Sequence, residues 1–174
     1  MNMKFKCIAM VLMLALAAPL TTASAADTGG KITFVEEVDA NGNAQGDRCV
    51  IPIEYDESSP GKTTSHKLWK IFKEAPECPN AVYSWYRVDE APSAVIFSMI
   101  NNVITDPCDD KGVPARVVSL RSFRQKTTTG WNALQVLPEK GDKEIIDSGG
   151  LRIEKKYEGL PSSDFFATCI KITY

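Results

Sequence analysis

Five cysteines carry the clearest chemistry in this 174-residue sequence. Cys7 precedes an apolar run near the start, and the other four are separated by 29, 30 and 61 residues: Cys49, Cys78, Cys108 and Cys169. Zinc sites need close pairs such as C-x-x-C, often with histidines, and these gaps do not provide them. In an exported chain, four cysteines predict two disulfides. Three pairings are open and the sequence does not choose among them; our hypothesis is Cys49–Cys78 with Cys108–Cys169.

His66 is the single histidine of the chain. A Ser-His-Asp site could use it, because the members of such a triad meet in space and not in sequence. However, the sequence has no G-x-S-x-G elbow to place a nucleophile. We therefore interpret His66 as an exposed histidine at the start of an apolar segment, assign no catalytic residue, and keep a small secreted hydrolase as a second alternative.

Two further patterns resemble ligand sites. Gly61-Lys62-Thr63 looks like the end of a phosphate loop, but the position five residues earlier is not the glycine that the full motif requires. Asp106, Asp109 and Asp110 surround Cys108 and could offer oxygens to calcium, but they do not follow the twelve-residue calcium-loop pattern. Solvated loops are the simpler interpretation of both, so we expect no cofactor and no metal.

An aromatic group within residues 81–88 is the candidate partner-binding site. Strand alternation places Tyr83 and Trp85 on one face and Tyr86 on the other. A sandwich strand buries one face, so we expect either Tyr83 and Trp85 or Tyr86 to point outward, where they could bind a protein or a glycan. Packing in the core is the alternative, since single aromatic rings are commonly buried.

Residues 1–25 have the three parts of a secretory signal peptide. Lys4 and Lys6 give a positive start, residues 8–18 are continuously apolar, and residues 23–25 (Ala-Ser-Ala) offer a cleavage site. The apolar run is shorter than the roughly 20 residues that span a bilayer. We therefore expect a mature chain of residues 26–174, in the periplasm, secreted or at the cell surface, with no membrane insertion after the signal is removed.

The mature chain has 18 basic and 22 acidic residues, a net charge of −4. This mildly acidic balance argues against a nucleic-acid partner, which would need a clearly basic face. A chain of this length fits one domain with a substantial core.

Short alternating apolar segments recur every 8–12 residues, the pattern of an all-β sandwich. Pro52 removes one hydrogen-bond donor from its strand, which should therefore lie at a sheet edge. Residues 56–65 read as a loop and 66–75 as either a short helix or a strand. We predict a single β-sandwich, with an immunoglobulin-like form as one option and at most one short helix. The predicted strands are 31–38, 49–55, 81–88, 94–105, 115–124, 131–137, 144–147, 151–157 and 165–174. A helix is the alternative for 94–105.

The two ends of the mature chain resemble chaperone–usher pilus subunits. Residues 26–34 (Ala-Asp-Thr-Gly-Gly-Lys-Ile-Thr-Phe) are similar to the donor arm of that family and lead toward Cys49, and Glu77-Cys78-Pro79 looks like the second family cysteine. Residues 167–174 are similar to the alternating, tyrosine-ending strand that a pilus chaperone grips.

This resemblance implies an immunoglobulin-like sandwich that lacks one strand and is completed by the arm of a neighbour. Ile32, Phe34 and Val38 would then form the donor strand, and the partners would be pilus subunits and a periplasmic chaperone. The chain departs from the family at Glu36, where a glycine is usual. It also departs in the closer spacing of its first two mature cysteines and in its second cysteine pair.

Three functions follow from these observations. An exported, non-enzymatic binding protein of the inhibitor, immunity or receptor-binding type makes the fewest demands on the sequence, and its partner would be a protein or a glycan. A fimbrial structural or adhesive subunit that assembles by donor-strand exchange is the first alternative, and the hydrolase is the second.

The cysteine pattern leads to a direct prediction. Natively purified mature protein should contain no thiol that alkylates under denaturing conditions without reductant, and four that alkylate after reduction, because two disulfides consume all four mature cysteines. Mass spectrometry of the alkylated chain measures the difference. Four thiols that react without reductant would contradict it.

Overall fold

A computed structural model describes residues 29–56, 58–69, 78–79, 81–103, 106–110, 116–156 and 165–174. The predicted signal peptide lies outside these residues. The described residues form ten β-strands and one 3-10 helix, Leu134–Glu139. The strands are β1 Lys31–Val38, β2 Ala44–Pro52, β3 Thr63–Lys67, β4 Trp85–Asp89, β5 Ile96–Asn101, β6 Arg116–Ser122, β7 Asn132–Ala133, β8 Ile145–Asp147, β9 Leu151–Lys156 and β10 Cys169–Thr173.

The strands form two antiparallel sheets. Sheet A has the order β2-β1-β4-β7, and sheet B has the order β3-β10-β5-β6-β9-β8. Alternate residues of each sheet meet in one apolar cluster, in which Ile32 and Phe34 of β1 join Ile170 and Ile172 of β10 with no exposed surface. The all-β sandwich predicted from the alternation is confirmed. The edge position of the strand that carries Pro52 is also confirmed, because β2 is an edge strand of sheet A.

Two segments differ from the prediction. Residues 131–137 form only a two-residue strand, β7, before the 3-10 helix begins. Leu134 and Leu137 are both fully buried, and their three-residue spacing matches the period of a 3-10 turn and not that of a strand. The predicted loop 56–65 is also too long, since β3 begins at Thr63 and pairs with β10. Residues 70–75 of the segment predicted as helix or strand lie outside the described residues.

The first and last of these strands both lie inside their sheets. Strand β1 pairs with β2 and β4, and β10 pairs with β3 and β5. In an immunoglobulin sandwich the first and last strands lie at sheet edges. The strand order of this domain therefore differs from the immunoglobulin order.

Two disulfides close the structure, Cys49–Cys78 and Cys108–Cys169, with Cα–Cα distances of 5.2 Å and 5.1 Å. This is the predicted pairing. The second disulfide fixes the 106–110 segment over Ile100 and Val117, which form a small apolar cluster apart from the main core. Two disulfides are typical of an oxidising, extracytoplasmic environment.

Within the described residues, no helix has the length and apolar character needed to cross a membrane.

Two buried tyrosines of the core differ in how their hydroxyl groups are satisfied. The Tyr83 hydroxyl donates a 2.7 Å hydrogen bond to the carbonyl of Pro79. Burial, followed by the charges of Asp47 and Glu36, raises the pKa of Tyr83 to about 12. Burial also raises the pKa of Tyr86, whose hydroxyl has no hydrogen-bond partner among the described residues.

This difference predicts opposite effects of one chemical change. Tyr83→Phe should lower the free energy of unfolding by about 1 kcal/mol, because it removes the hydrogen bond from the hydroxyl to the Pro79 carbonyl, which then keeps only the N–H of Ala81. Tyr86→Phe should leave it unchanged or raise it by about 1 kcal/mol, because a buried, unpaired hydroxyl is destabilising. Urea unfolding of the oxidised protein at pH 7 measures both. Equal destabilisation by the two variants would show that the Tyr86 hydroxyl has a partner.

Candidate binding face on sheet A

The structure separates the three aromatic residues proposed as a binding site. Tyr83 and Tyr86 are completely buried in the core, whereas Trp85 is half-buried and lies outside the core cluster. Strand β4 begins only at Trp85, so the alternation expected for Tyr83 does not apply, and its ring turns inward against Phe34 with the centroids 6.2 Å apart. Tyr83 and Tyr86 therefore present no surface to a partner, and the expected sharing of a face by Tyr83 and Trp85 is wrong.

The outer face of sheet A is built in rows across its strands. Thr33 of β1 lies between Val50 of β2 and Arg87 of β4. In the next row, Val35 lies between Arg48 and Trp85. Thr33 and Val35 are 3% and 1% exposed although neither belongs to the core cluster, so both are covered from the solvent side. Directly opposite cross-strand neighbours provide such cover.

Arg87 is held in place on this face by two contacts. Its Nε lies 3.2 Å and 3.3 Å from the two carboxylate oxygens of Asp89, and its guanidinium carbon lies 4.9 Å from the centre of the Trp131 ring. Trp131 comes next to Arg87 because β7 pairs Asn132 with Tyr86. A guanidinium over an indole ring is favourable through the charge distribution of the ring. No pattern in the sequence indicates this contact, since it depends on the register of a two-residue strand.

An open groove of about 600 Å³ runs beside Arg87 at one end of the face. Two of its lining residues have positive φ angles, Gly30 at 91° and Glu90 at 56°. A Cβ atom at Gly30 would overlap the Asp89 carbonyl oxygen, so the start of β1 approaches the end of β4 more closely than a larger residue allows. The lining includes Gly30, Lys31, Val50, Arg87, Asp89 and Glu90.

The residues proposed as a donor strand lie within the sheet. Ile32 and Phe34 are fully buried in the core, and Val38 is half-buried at the end of β1. Hydrogen-bonded strands flank β1 on both sides, so these residues belong to the domain's own sheet and do not form a free arm. Glu36 lies at an irregularity in the β1–β2 register, and its carboxylate accepts the backbone N–H of Asp47 at 3.0 Å.

The three aspartates around Cys108 are arranged as parts of a loop. Asp106 accepts the N–H of Cys108 and lies 3.8 Å from the ammonium of Lys67, while Asp110 lies 3.1 Å from that of Lys171. No three metal-binding side chains converge within the described part of the chain. The arrangement fastens the disulfide-bonded loop to β3 and β10.

His66 and Gly61 lie away from the face on sheet A. His66 is half-buried on β3, with Nε2 3.2 Å from the hydroxyl of Thr64, and β3 pairs with β10 in sheet B. Gly61 is an exposed turn residue with a φ of 82°. The structure therefore does not bring His66 or the 61–63 segment to the groove.

On sheet B, a single carboxylate lies among three cationic side chains. The Glu154 carboxylate lies 3.0–3.7 Å from the cationic groups of Lys143, Arg121 and Arg152, and these neighbours lower the pKa of Glu154. This cluster keeps a net positive charge, since one carboxylate offsets only one of the three cations. The face on sheet A differs because it combines Arg87 with two indole rings and the exposed Val50. Sheet A is therefore the stronger candidate for a binding face.

Comparison with family models, with curated proteins and with solved structures finds no match to this chain.

The packing at Gly30 predicts a large effect of a single methyl group. Gly30→Ala should lower the free energy of unfolding by about 2–4 kcal/mol, because the new Cβ meets β4 and also occupies a left-handed conformation. Gly42→Ala is the matched control, since Gly42 also has a positive φ but has open space around it. Its cost should be only about 1 kcal/mol. Urea unfolding compares the two, and equal losses would rule out the close approach of β1 to β4.

Proposed function

We propose that this chain is an exported, non-enzymatic binding protein that docks a partner protein on the outer face of sheet A. One observation carries the proposal: two indole rings, a guanidinium and an exposed valine lie on one continuous surface. These residues are Trp85, Trp131, Arg87 and Val50. Tryptophan and arginine are the residues most enriched at the energetic centres of protein interfaces.

The geometry of the face supports binding by a preformed surface. Three of its strands are tied together by paired backbone bonds, and the Cys49–Cys78 disulfide anchors the edge strand β2. Residues held in this way lose little conformational entropy when a partner docks, and this favours affinity. Inhibitors, immunity proteins and receptor-binding domains are the classes that use such a surface without chemistry of their own.

The periplasm or the exterior of the cell is the proposed location. The features that support it are the predicted signal peptide and the two disulfides, which persist in oxidising compartments. A partner in the same compartment is the one to search for.

Assembly by donor-strand exchange is less well supported than binding. Exchange requires an unpaired strand edge that receives the arm of a neighbour, and the strand that a chaperone grips requires the same. Strands β1 and β10, the two strands that resemble the pilus elements, each have a hydrogen-bonded neighbour on both sides. We therefore retain the binding function alone.

A matched pair of surface variants tests the proposal. Val50 on β2 and Ile145 on β8 are both exposed apolar residues on edge strands, at 52% and 60%, and only Val50 lies in the proposed face. Val50→Asp should weaken binding of a partner captured from the periplasmic or surface fraction by about tenfold or more, because it places a charge in a desolvated contact. Ile145→Asp should change the affinity by less than about twofold.

The measurement is the dissociation constant of the purified pair by calorimetry, with circular dichroism to verify that both variants are folded. Full affinity in Val50→Asp would contradict the proposed face. Equal losses in the two variants would also contradict it.

A further inference from the structure

The two terminal amino groups of Arg87 are the feature of the face that the described residues leave without a contact. Asp89 takes the Nε–H side of the guanidinium, and Trp131 covers one of its faces. Among the residues that the structure describes, none hydrogen-bonds the terminal amino groups. The Arg87 side chain is 37% exposed and lines the groove.

This arrangement leaves a planar pair of N–H donors with a fixed direction. A guanidinium presents parallel donors that match the two oxygens of a carboxylate. The Asp89 carboxylate and the Trp131 ring fix the orientation before a ligand arrives, which reduces the entropy lost on binding. The ion pair with Arg87 also offsets the negative charge of Asp89, which therefore repels an incoming anion only weakly.

We infer that Arg87 is the carboxylate-binding residue of this face, and that the partner protein presents an aspartate or glutamate side chain to it. The inference rests on the proposed function and names the chemistry of the partner at one point. The carboxylate would accept two N–H bonds from the terminal amino groups while the apolar surroundings of the partner contact Val50 and Trp85.

The other charges of the groove limit what the partner carries. Lys31 and Glu90 both line the groove and are exposed, so one attracts and the other repels an anion near Arg87. The groove as a whole is therefore close to neutral and does not fit a polyanion. A single carboxylate among neutral or mixed neighbours matches it better than an acidic run.

A protein carboxylate fits the surface better than an acidic sugar. Sugars commonly need a free aromatic face for stacking, and the guanidinium of Arg87 occupies one face of Trp131. The exposed Val50 and the half-buried Trp85 near Arg87 are features of a protein contact, which combines an apolar area with a few placed charges.

Nuclear magnetic resonance of the mature, oxidised protein tests the inference with small probes. The probe is the blocked peptide acetyl-Gly-Ser-Glu-Ser-Gly-amide, and the same peptide with glutamine is its neutral control. The glutamate peptide should shift the Arg87 Nε–H and Trp131 indole N–H resonances, with a dissociation constant on the order of millimolar for so small a contact. The shifts should diminish as salt is added, because exposed charges are screened.

Two substitutions should change this affinity in opposite directions. Arg87→Lys keeps the charge but loses the paired donors, and should weaken binding of the glutamate peptide by about tenfold. Glu90→Gln removes a repulsion and should strengthen it by roughly twofold to fivefold. Arg124→Lys is the matched control, because Arg124 is exposed on the segment after β6 and does not line the groove, and it should leave the affinity unchanged.

Three results would overturn the inference. The first is equal shifts with the glutamate and glutamine peptides. The second is an unchanged affinity in Arg87→Lys. The third is tighter, Arg87-dependent binding of methyl glucuronide than of the glutamate peptide, which would identify an acidic glycan as the partner. Each can occur while Val50→Asp still weakens binding of the captured protein, so failure of the carboxylate contact is distinguishable from failure of the proposed function.

Discussion

The structure depends on the pairing of β1 with a strand on each of its sides. Because successive side chains of a strand point to opposite faces, this register places Ile32 and Phe34 in the core and Thr33 and Val35 on the outer side. One strand thus serves the interior of the sandwich and the base of the candidate binding face. A shift by a single residue would exchange the two sets and disrupt both.

The outer faces of the two sheets differ in how their charged groups are paired. On sheet B, Glu154 is surrounded by three cations, and this cluster keeps a net positive charge. On sheet A, the Nε of Arg87 contacts Asp89 and one face of its guanidinium contacts Trp131, while the end of the side chain faces the groove. The two outer surfaces therefore differ: sheet B groups cations around one carboxylate, whereas sheet A places one guanidinium beside an indole ring.

Much of the fold could be predicted from local patterns. Alternation located most strands, Pro52 located an edge, and the cysteine spacing indicated two disulfides. The predictions that failed have a common physical reason. They depend on the residue at which a strand begins and on which strands become neighbours in the sheet. Tyr83 turns inward because β4 begins two residues later, and the contact between Arg87 and Trp131 arises from a register between distant segments. Neither the inward turn of Tyr83 nor the contact between Arg87 and Trp131 can be predicted from the order of residues alone.

The central position of β10 has a consequence for how the chain reaches its final form. Sheet B has β3 and β5 on either side of a strand formed by residues 169–173, so the sheet stays divided until those residues arrive. The Cys108–Cys169 disulfide has the same requirement. Closure of sheet B and formation of this disulfide therefore depend on the same five residues, 169–173.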